Sequence, residues 1–381
     1  MPHVVVLGSG FTGLSVAHKL LKHTLPKTPD LKVTLVSPSH YTYWNIAAVR
    51  GLIPGQLSDE QLFIDFLPGF ASYKTGAFEY IEGKATAVDP ESNSVAVTTN
   101  SGEQKQLTYD HLVVATGSSE TGGLPFKTLD SYQQTLDELH KLQDKVESAK
   151  TIVIGGAGPT GVEIAGELSN IYTGTKAKNV ILVSSSDSVL PGLSNSVRKA
   201  ATNTLTKAGV TVKTSGRATE ADGVITITYS SGGQTAETFA DALFLPVFGT
   251  RVNSSFLPDS LLDSNKNLDL KTTLQSAKAA NIWGAGDIGN LESKQAARID
   301  GQVAHLFGNM DLAIAGKTTF KEFKASQSTM VFVSIGKSAG TGQVGSMRMW
   351  SWLVSMAKSK TLFIGSAQGL ASGKTGVSAS L

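Results

Sequence analysis

Val4 to Leu7 is an unbroken apolar run that stops at Gly8, and from Thr12 to Leu21 the apolar positions recur at helical spacing. That switch of period predicts a strand, a tight turn and a helix. Leu31 to Val36 then reads as a second buried strand. The same order returns further on, where Thr151 to Ile154 runs into a glycine cluster, Val162 to Leu168 has helical spacing and Asn179 to Val183 is again apolar. The chain is therefore expected to hold two βαβ units.

Between the units, Ala77 to Asp89 and Ser94 to Thr99 alternate as strands do, Tyr109 to Ala115 is apolar, and Asp130 to Ser148 is a charged amphipathic helix. Val210 to Lys213, Val224 to Tyr229 and Ala242 to Val247 repeat that sequence of strands after the second unit. Phe248-Gly249-Thr250 occupies the place held earlier by Thr116-Gly117. Ile282 to Ala285 predicts a short strand before Gly286-Asp287, followed by a helix from about Glu292 to Phe307. Met330 to Ile335 is strand-like, and Met347 to Met356 reads as a helix. The Gly/Ser/Ala-rich tail from Gly365 is expected to be loosely ordered.

A chain of 381 residues with 40% hydrophobic content is long enough for two or three domains. Its formal charge of only +2, without a long Lys or Arg run, gives no footprint for nucleic acid. There is no cysteine, which excludes disulfides, thiolate metal sites and a Cys-x-x-Cys redox pair. The seven histidines show no His-x-x-x-His spacing, so no metal site is expected. Met1-Pro2-His3 leads at once into an apolar run without a basic n-region, and no stretch reaches the length of a spanning helix. Cytoplasmic residence is the expectation, with any membrane contact peripheral.

Gly8-Ser9-Gly10-Phe11-Thr12-Gly13 follows a strand and opens a helix, the context in which G-x-G-x-x-G has a physical meaning. The first glycine permits the turn, the second lets a pyrophosphate approach the backbone, and the third lets helix pack on strand. The helix N-terminus adds amide donors and the positive end of its dipole. Gly156-Ala157-Gly158-Pro159-Thr160-Gly161 repeats the motif in the same setting. Two loops imply two dinucleotides, one held permanently and one exchanged.

With these loops, the Ala115-Thr116-Gly117 strand end, Gly158-Pro159-Thr160-Gly161-Val162-Glu163 and Trp283-Gly284-Ala285-Gly286-Asp287-Ile288, the sequence resembles the FAD-dependent pyridine nucleotide oxidoreductases. Within them it is similar to the apoptosis-inducing-factor-like group that includes ferroptosis-suppressor NAD(P)H:quinone oxidoreductases. The resemblance implies an α/β protein with two Rossmann-like dinucleotide-binding domains, glutathione-reductase-like, and a smaller C-terminal α+β region. The FAD domain is expected to span 1–118 and 247–317, the NAD(P)H domain 119–246, and the C-terminal domain 318–381.

The resemblance assigns FAD to the first loop and makes Asp287 the cap of its ribityl region. The helix after Asp287 is expected to aim amides near Lys294 and Gln295 at the flavin ring, stabilising its anionic reduced form. A second reading makes Asp287 a simple turn or N-cap residue. Arg50 is a candidate for the FAD pyrophosphate or flavin face, because guanidinium matches phosphate bidentately, and a solvated Arg is the alternative. Asn45 is a candidate for the flavin. Glu163 resembles the family position near nicotinamide and flavin and, with Lys294, is a candidate catalytic residue.

Two departures stand out. The first unit's second strand ends Val36-Ser37, and the second unit's ends Val183-Ser184-Ser185-Ser186, where an acid would grip a ribose hydroxyl. Ser37 can still hydrogen-bond a hydroxyl. In the second unit the absence removes the group that repels a 2'-phosphate, and Arg198, Lys199 or Arg217 could meet one, so NADPH is preferred over NADH.

Without cysteine, electrons must leave for a diffusible small-molecule acceptor, and the resemblance favours a quinone. An oxidase acting on a biosynthetic small molecule and a redox-sensing flavoprotein with a partner are the competing functions. Met349, Trp350, Trp352, Leu353 and Met356 beside Arg348 and Lys358 fit either core packing or an interfacial segment. A homodimer also stays open.

Overall fold

The computed structural model describes residues 1–230 and 236–377. Its largest sheet has seven strands in the order Ile282–Gly284, His111–Val114, His3–Leu7, Lys32–Ser37, Phe78–Asp89, Ser94–Thr99 and Gln104–Thr108. The first five run parallel and the last two form antiparallel hairpins. Val4, Val5 and Val6 at its centre are fully buried, as a strand covered on both faces requires.

A second parallel sheet runs Thr211–Lys213, Asn179–Val183, Thr151–Gly155 and Ala242–Pro246, with an antiparallel sheet of Gly216–Ala221, Val224–Tyr229 and Glu237–Ala240 against it. Both βαβ units are thus in place, with helices Phe11–Lys19 and Pro159–Ile171 behind their glycine loops. The chain passes between the two parts twice, and the passes pair as antiparallel strands Ser118–Glu120 and Thr250–Val252.

The C-terminal region is a three-stranded antiparallel sheet of Met330–Ile335, Ala339–Val344 and Met347–Met349, followed by short helices. Three expectations are corrected here. Met347–Met349 is an edge strand, and the helix that follows covers only Ser351–Val354 before a π-turn over Ser355–Ser359, because Met347 to Met349 extend the hairpin ladder instead. The helix after Asp287 begins at Ala296, not near Glu292. The tail from Gly365 contains the helix Ile364–Ala371, whose Leu370 and Ala371 are buried, while 378–381 lie outside the described residues. That helix is held by His18, whose Nε2 meets Ala371 O at 3.0 Å while Nδ1 meets Tyr73 Oη at 2.9 Å.

Candidate functional site: two cradles and a shared wall

Both glycine loops take the same shape. Gly8 has φ +103° and Gly156 φ +113°, a region closed to ordinary side chains. A Cβ on Gly13 would lie 1.8 Å from Gly8 O, and one on Gly161 would lie 1.9 Å from Gly156 O, so the third glycine of each loop is fixed by helix packing. A Cβ on Gly10 or Gly158 would meet nothing within 4 Å. Space beside the helix N-terminus at each middle glycine is what a pyrophosphate needs.

A cleft of about 830 Å³ opens over the first loop. Gly8, Gly10, Phe11, Thr12, Ser37, Asn45, Ala115, Thr116, Gly117, Asp287 and Lys294 line it, so the fold brings these candidates to one space. Gly13 and Gly286 stand behind the wall. Gly286 has φ +81°, and a Cβ there would come within 2.6 Å of Thr12 Oγ1, so it seats the Asp287 turn on the first helix.

At one end of the cleft the missing acid is replaced by hydroxyls. Ser9 Oγ and Ser37 Oγ lie 2.7 Å apart, and Ser9 Oγ donates to Ser39 O at 3.3 Å. At the other end Asp287 Oδ2 accepts from Ser118 Oγ at 2.7 Å and Lys127 Nζ at 2.8 Å. Burial works against this carboxylate, but the Lys127 charge and the hydrogen bonds from Lys127 and Ser118 outweigh it, and its pKa is lowered. Asp287 is therefore an ionised acceptor rather than a bare turn residue. Lys294 Nζ donates to Asn267 Oδ1 at 2.8 Å, and burial lowers its pKa against the pull of Asp287.

A second cavity of about 450 Å³ is lined by Pro159 of the second loop, Leu190 to Leu193, Leu291 to Ser293, Gln295, Arg298 and residues 326–329 with Val331. Lys294 and Ala296 face the first cleft, whereas Gln295 faces the second. One stretch of backbone separates the two spaces. Gln295 was expected in the FAD set, and its side chain belongs to the second cavity because it is the N-cap of the Ala296–Ile314 helix, in extended conformation. Its Oε1 is buried without a hydrogen-bond partner.

Two sequence candidates lie elsewhere. Arg50 is buried and lines neither space. Its Nε and Nη2 grip Glu167 at 2.9 and 2.7 Å, and it also donates to Ser359 O and Lys360 O at 2.6 and 3.1 Å. Each of its three nitrogens is engaged and the side chain lines neither space, so the expectation of a phosphate contact is corrected. Glu163 likewise turns away from both cavities, accepting from Ser334 N at 2.9 Å, Ser334 Oγ at 3.1 Å and Lys358 Nζ at 2.6 Å. It ties the second glycine-loop helix to the C-terminal sheet. Gly156, Gly158, Thr160 and Gly161 shape the second loop without lining either space.

Several cleft residues carried no sequence signal. Lys127 sits in the connection between domains, Arg251 in the return strand, and Lys84, paired with Asp130 at 2.7 Å, on a long strand of the sheet. The glycine motifs mark only the loops they belong to.

A parallel-sheet flavin domain into which a second dinucleotide domain is inserted defines the two-dinucleotide oxidoreductase class. The chain belongs to the pyridine nucleotide-disulphide oxidoreductase family, whose model matches residues 2–301. It is 38% identical to oxidoreductase ptaL of Pestalotiopsis fici over 369 residues, covering 96% of this chain and 97% of that one. Ferroptosis suppressor protein 1 of Taeniopygia guttata is 26% identical, over 95% of this chain and 93% of its own. The crystal structure of sulfide:quinone oxidoreductase from Aquifex aeolicus superposes with TM-score 0.77 at 18% identity, covering 98% of this chain and 92% of that one. The protein is thus an FAD-dependent NAD(P)H oxidoreductase, and the absence of cysteine excludes the disulphide chemistry in the family's name.

Proposed function

We propose that the protein oxidises NADPH in preference to NADH and delivers the electrons to a diffusible acceptor of the quinone class. The observation that carries this reading is the shared wall, with Lys294 and Ala296 on the flavin side and Gln295 on the side of the second loop. Two ligands meeting there need no protein redox group between them. Bound in the first cleft, FAD supplies the ring that accepts two electrons from a nicotinamide and returns them to an acceptor.

The residues do the rest. The Gly8–Gly13 loop offers amides to the pyrophosphate, and Ser9 and Ser37 offer hydroxyls to the ribose. Asp287 presents an ionised carboxylate to ribityl hydroxyls, with Lys127 and Ser118 fixing its direction. The second cavity keeps the reacting end of the nucleotide beside that wall.

The preference for NADPH is supported by the strand end Val183-Ser184, where Ser184 Oγ donates to Ser188 O at 2.7 Å and no acid stands. Arg198 Nη1 reaches Ser188 Oγ at 2.9 Å, and its Nε is buried without a partner. Asp187, 3.5 Å from Arg198, is the nearby charge a 2'-phosphate would displace. Arg198→Leu is expected to lower kcat/KM for NADPH at least about tenfold, the loss of one charged hydrogen bond, with NADH little changed. A wild-type ratio strongly favouring NADH overturns the preference.

Anaerobic stopped-flow mixing tests the reaction. Rapid flavin bleaching by NADPH and rapid recovery on adding a quinone are expected. A second reading, oxidation of a biosynthetic small molecule, predicts bleaching by an organic substrate and not by either nucleotide.

A further inference from the structure

We propose that the outer edge of the C-terminal sheet docks on an anionic lipid surface. Among the described residues, seven large hydrophobic side chains are exposed, and four of them crowd into ten positions: Met347 (68%), Trp350 (65%), Trp352 (60%) and Met356 (65%). Trp350 and Trp352 lie together, with ring centroids 6.2 Å apart.

The segment is not a loose loop with misplaced side chains. Gly340 N donates to Ser351 Oγ at 3.1 Å, Ser355 Oγ to Lys337 O at 3.1 Å and Ser359 Oγ to Ala339 O at 2.8 Å, which clamps it to the sheet. Val354 and Leu362 point inward and are fully buried. The inward set satisfies the core, so the outward tryptophans and methionines are surplus to it. Exposed apolar patches of this kind mark an interaction surface.

Charge chooses the occupant. From Phe323 to the C-terminus there is no Asp or Glu, while Lys324, Lys337, Arg348, Lys358, Lys360 and Lys374 are all basic, so the rest of the chain is net acidic. Lys358 is spent on Glu163, but Arg348 and Lys360 are exposed along the same segment, and Lys337 lies in the turn beside Ser355. A second copy of this chain would bring positive charge against positive charge. An anionic headgroup layer complements it, and tryptophan suits the boundary between headgroup and acyl chain. No helix of the described residues is long and apolar enough to cross a membrane, so the contact is a surface one.

The test uses the full FAD-loaded chain and phosphatidylcholine vesicles with or without phosphatidylserine. The protein is expected to float with the phosphatidylserine vesicles and to do so less at high salt. Arg348→Gln is expected to weaken partitioning about fivefold, the effect of one base near such a surface. Trp350→Ser with Trp352→Ser is expected to abolish flotation, whereas the paired Phe substitutions preserve it, with flavin bleaching by NAD(P)H unchanged in both. Because Trp44 and Trp283 are fully buried, a blue shift of tryptophan emission on adding vesicles reports on Trp350 and Trp352. Protein that stays with the lipid-free fraction overturns the proposal. So does flotation that survives the Ser pair, or a concentration-dependent dimer in light scattering that the Ser pair dissolves.

Discussion

The three glycines of the first loop differ in what a single methyl would do. Gly13→Ala drives Cβ into Gly8 O, so it is expected to cost folding as well as flavin. Gly10→Ala has open space, so it is expected to leave the thermal transition within about 1 kcal/mol of the parent, the backbone value for such a change, while weakening FAD binding at least about tenfold. Flavin retention after gel filtration, set beside the melting curve, checks the pair. Asp287→Asn keeps the shape of its side chain but leaves the Lys127 ammonium without its carboxylate. It is expected to raise the dissociation constant of FAD about ten- to a hundredfold, measured by the return of free flavin fluorescence. These residues were legible because glycine spacing and a Gly-Asp turn follow from local backbone geometry. Arg50 and Glu163 were misread because their partners, Glu167 and Lys358, are brought to them by chain closure, which no local pattern records.

At the scale of elements, the strands and helices of both βαβ units were readable because buried parallel strands are continuous apolar runs. The C-terminal elements were less so, since an edge strand and a short helix carry mixed apolar residues in no fixed period. The helix Ile364–Ala371 illustrates the difference, as small residues hide a docked element. His18 stacks on Phe70 at 4.0 Å and ties this helix down, and burial lowers its pKa to about 4. The unfolded chain binds a proton at this residue near 6.5, before the folded one does. The contribution is therefore complete above pH 6.5 and is lost as pH falls from there through 4, up to about 3 kcal/mol. The protection factors of amides across 364–371, referenced to the intrinsic exchange rate at each pH, are expected to fall between pH 7 and pH 5 and in His18→Leu to be low at both; protection independent of pH in the parent protein would contradict this.

Across the whole molecule, one buried ion pair joins three regions. Arg50 comes from the flavin domain, Glu167 from the helix behind the second loop, and the carbonyls of Ser359 and Lys360 from the C-terminal segment. Their side chains are 3% and 0% exposed. Arg50→Met leaves a buried carboxylate alone and is expected to destabilise the protein by about 3–5 kcal/mol, with Arg50→Met/Glu167→Leu recovering part of it. Chemical denaturation of the two variants measures the difference. Loss in the double variant as large as in the single one would show that the pair is more than a matched burial.

The helix Pro159–Ile171 begins at the nucleotide loop and along its side presents Glu163 to Lys358 and Glu167 to Arg50. For anyone exchanging C-terminal regions between relatives, this makes the last sixty or so residues a poor cassette. A chimera whose foreign segment carries a base at 358 without a carboxylate at 163 would strand that charge inside the protein. The grafting unit is the segment together with position 163, because Arg50 and Glu167 stay behind as a matched pair and take only the backbone carbonyls of Ser359 and Lys360 from it, and the junction that looks natural in the chain is not the one that matters in space.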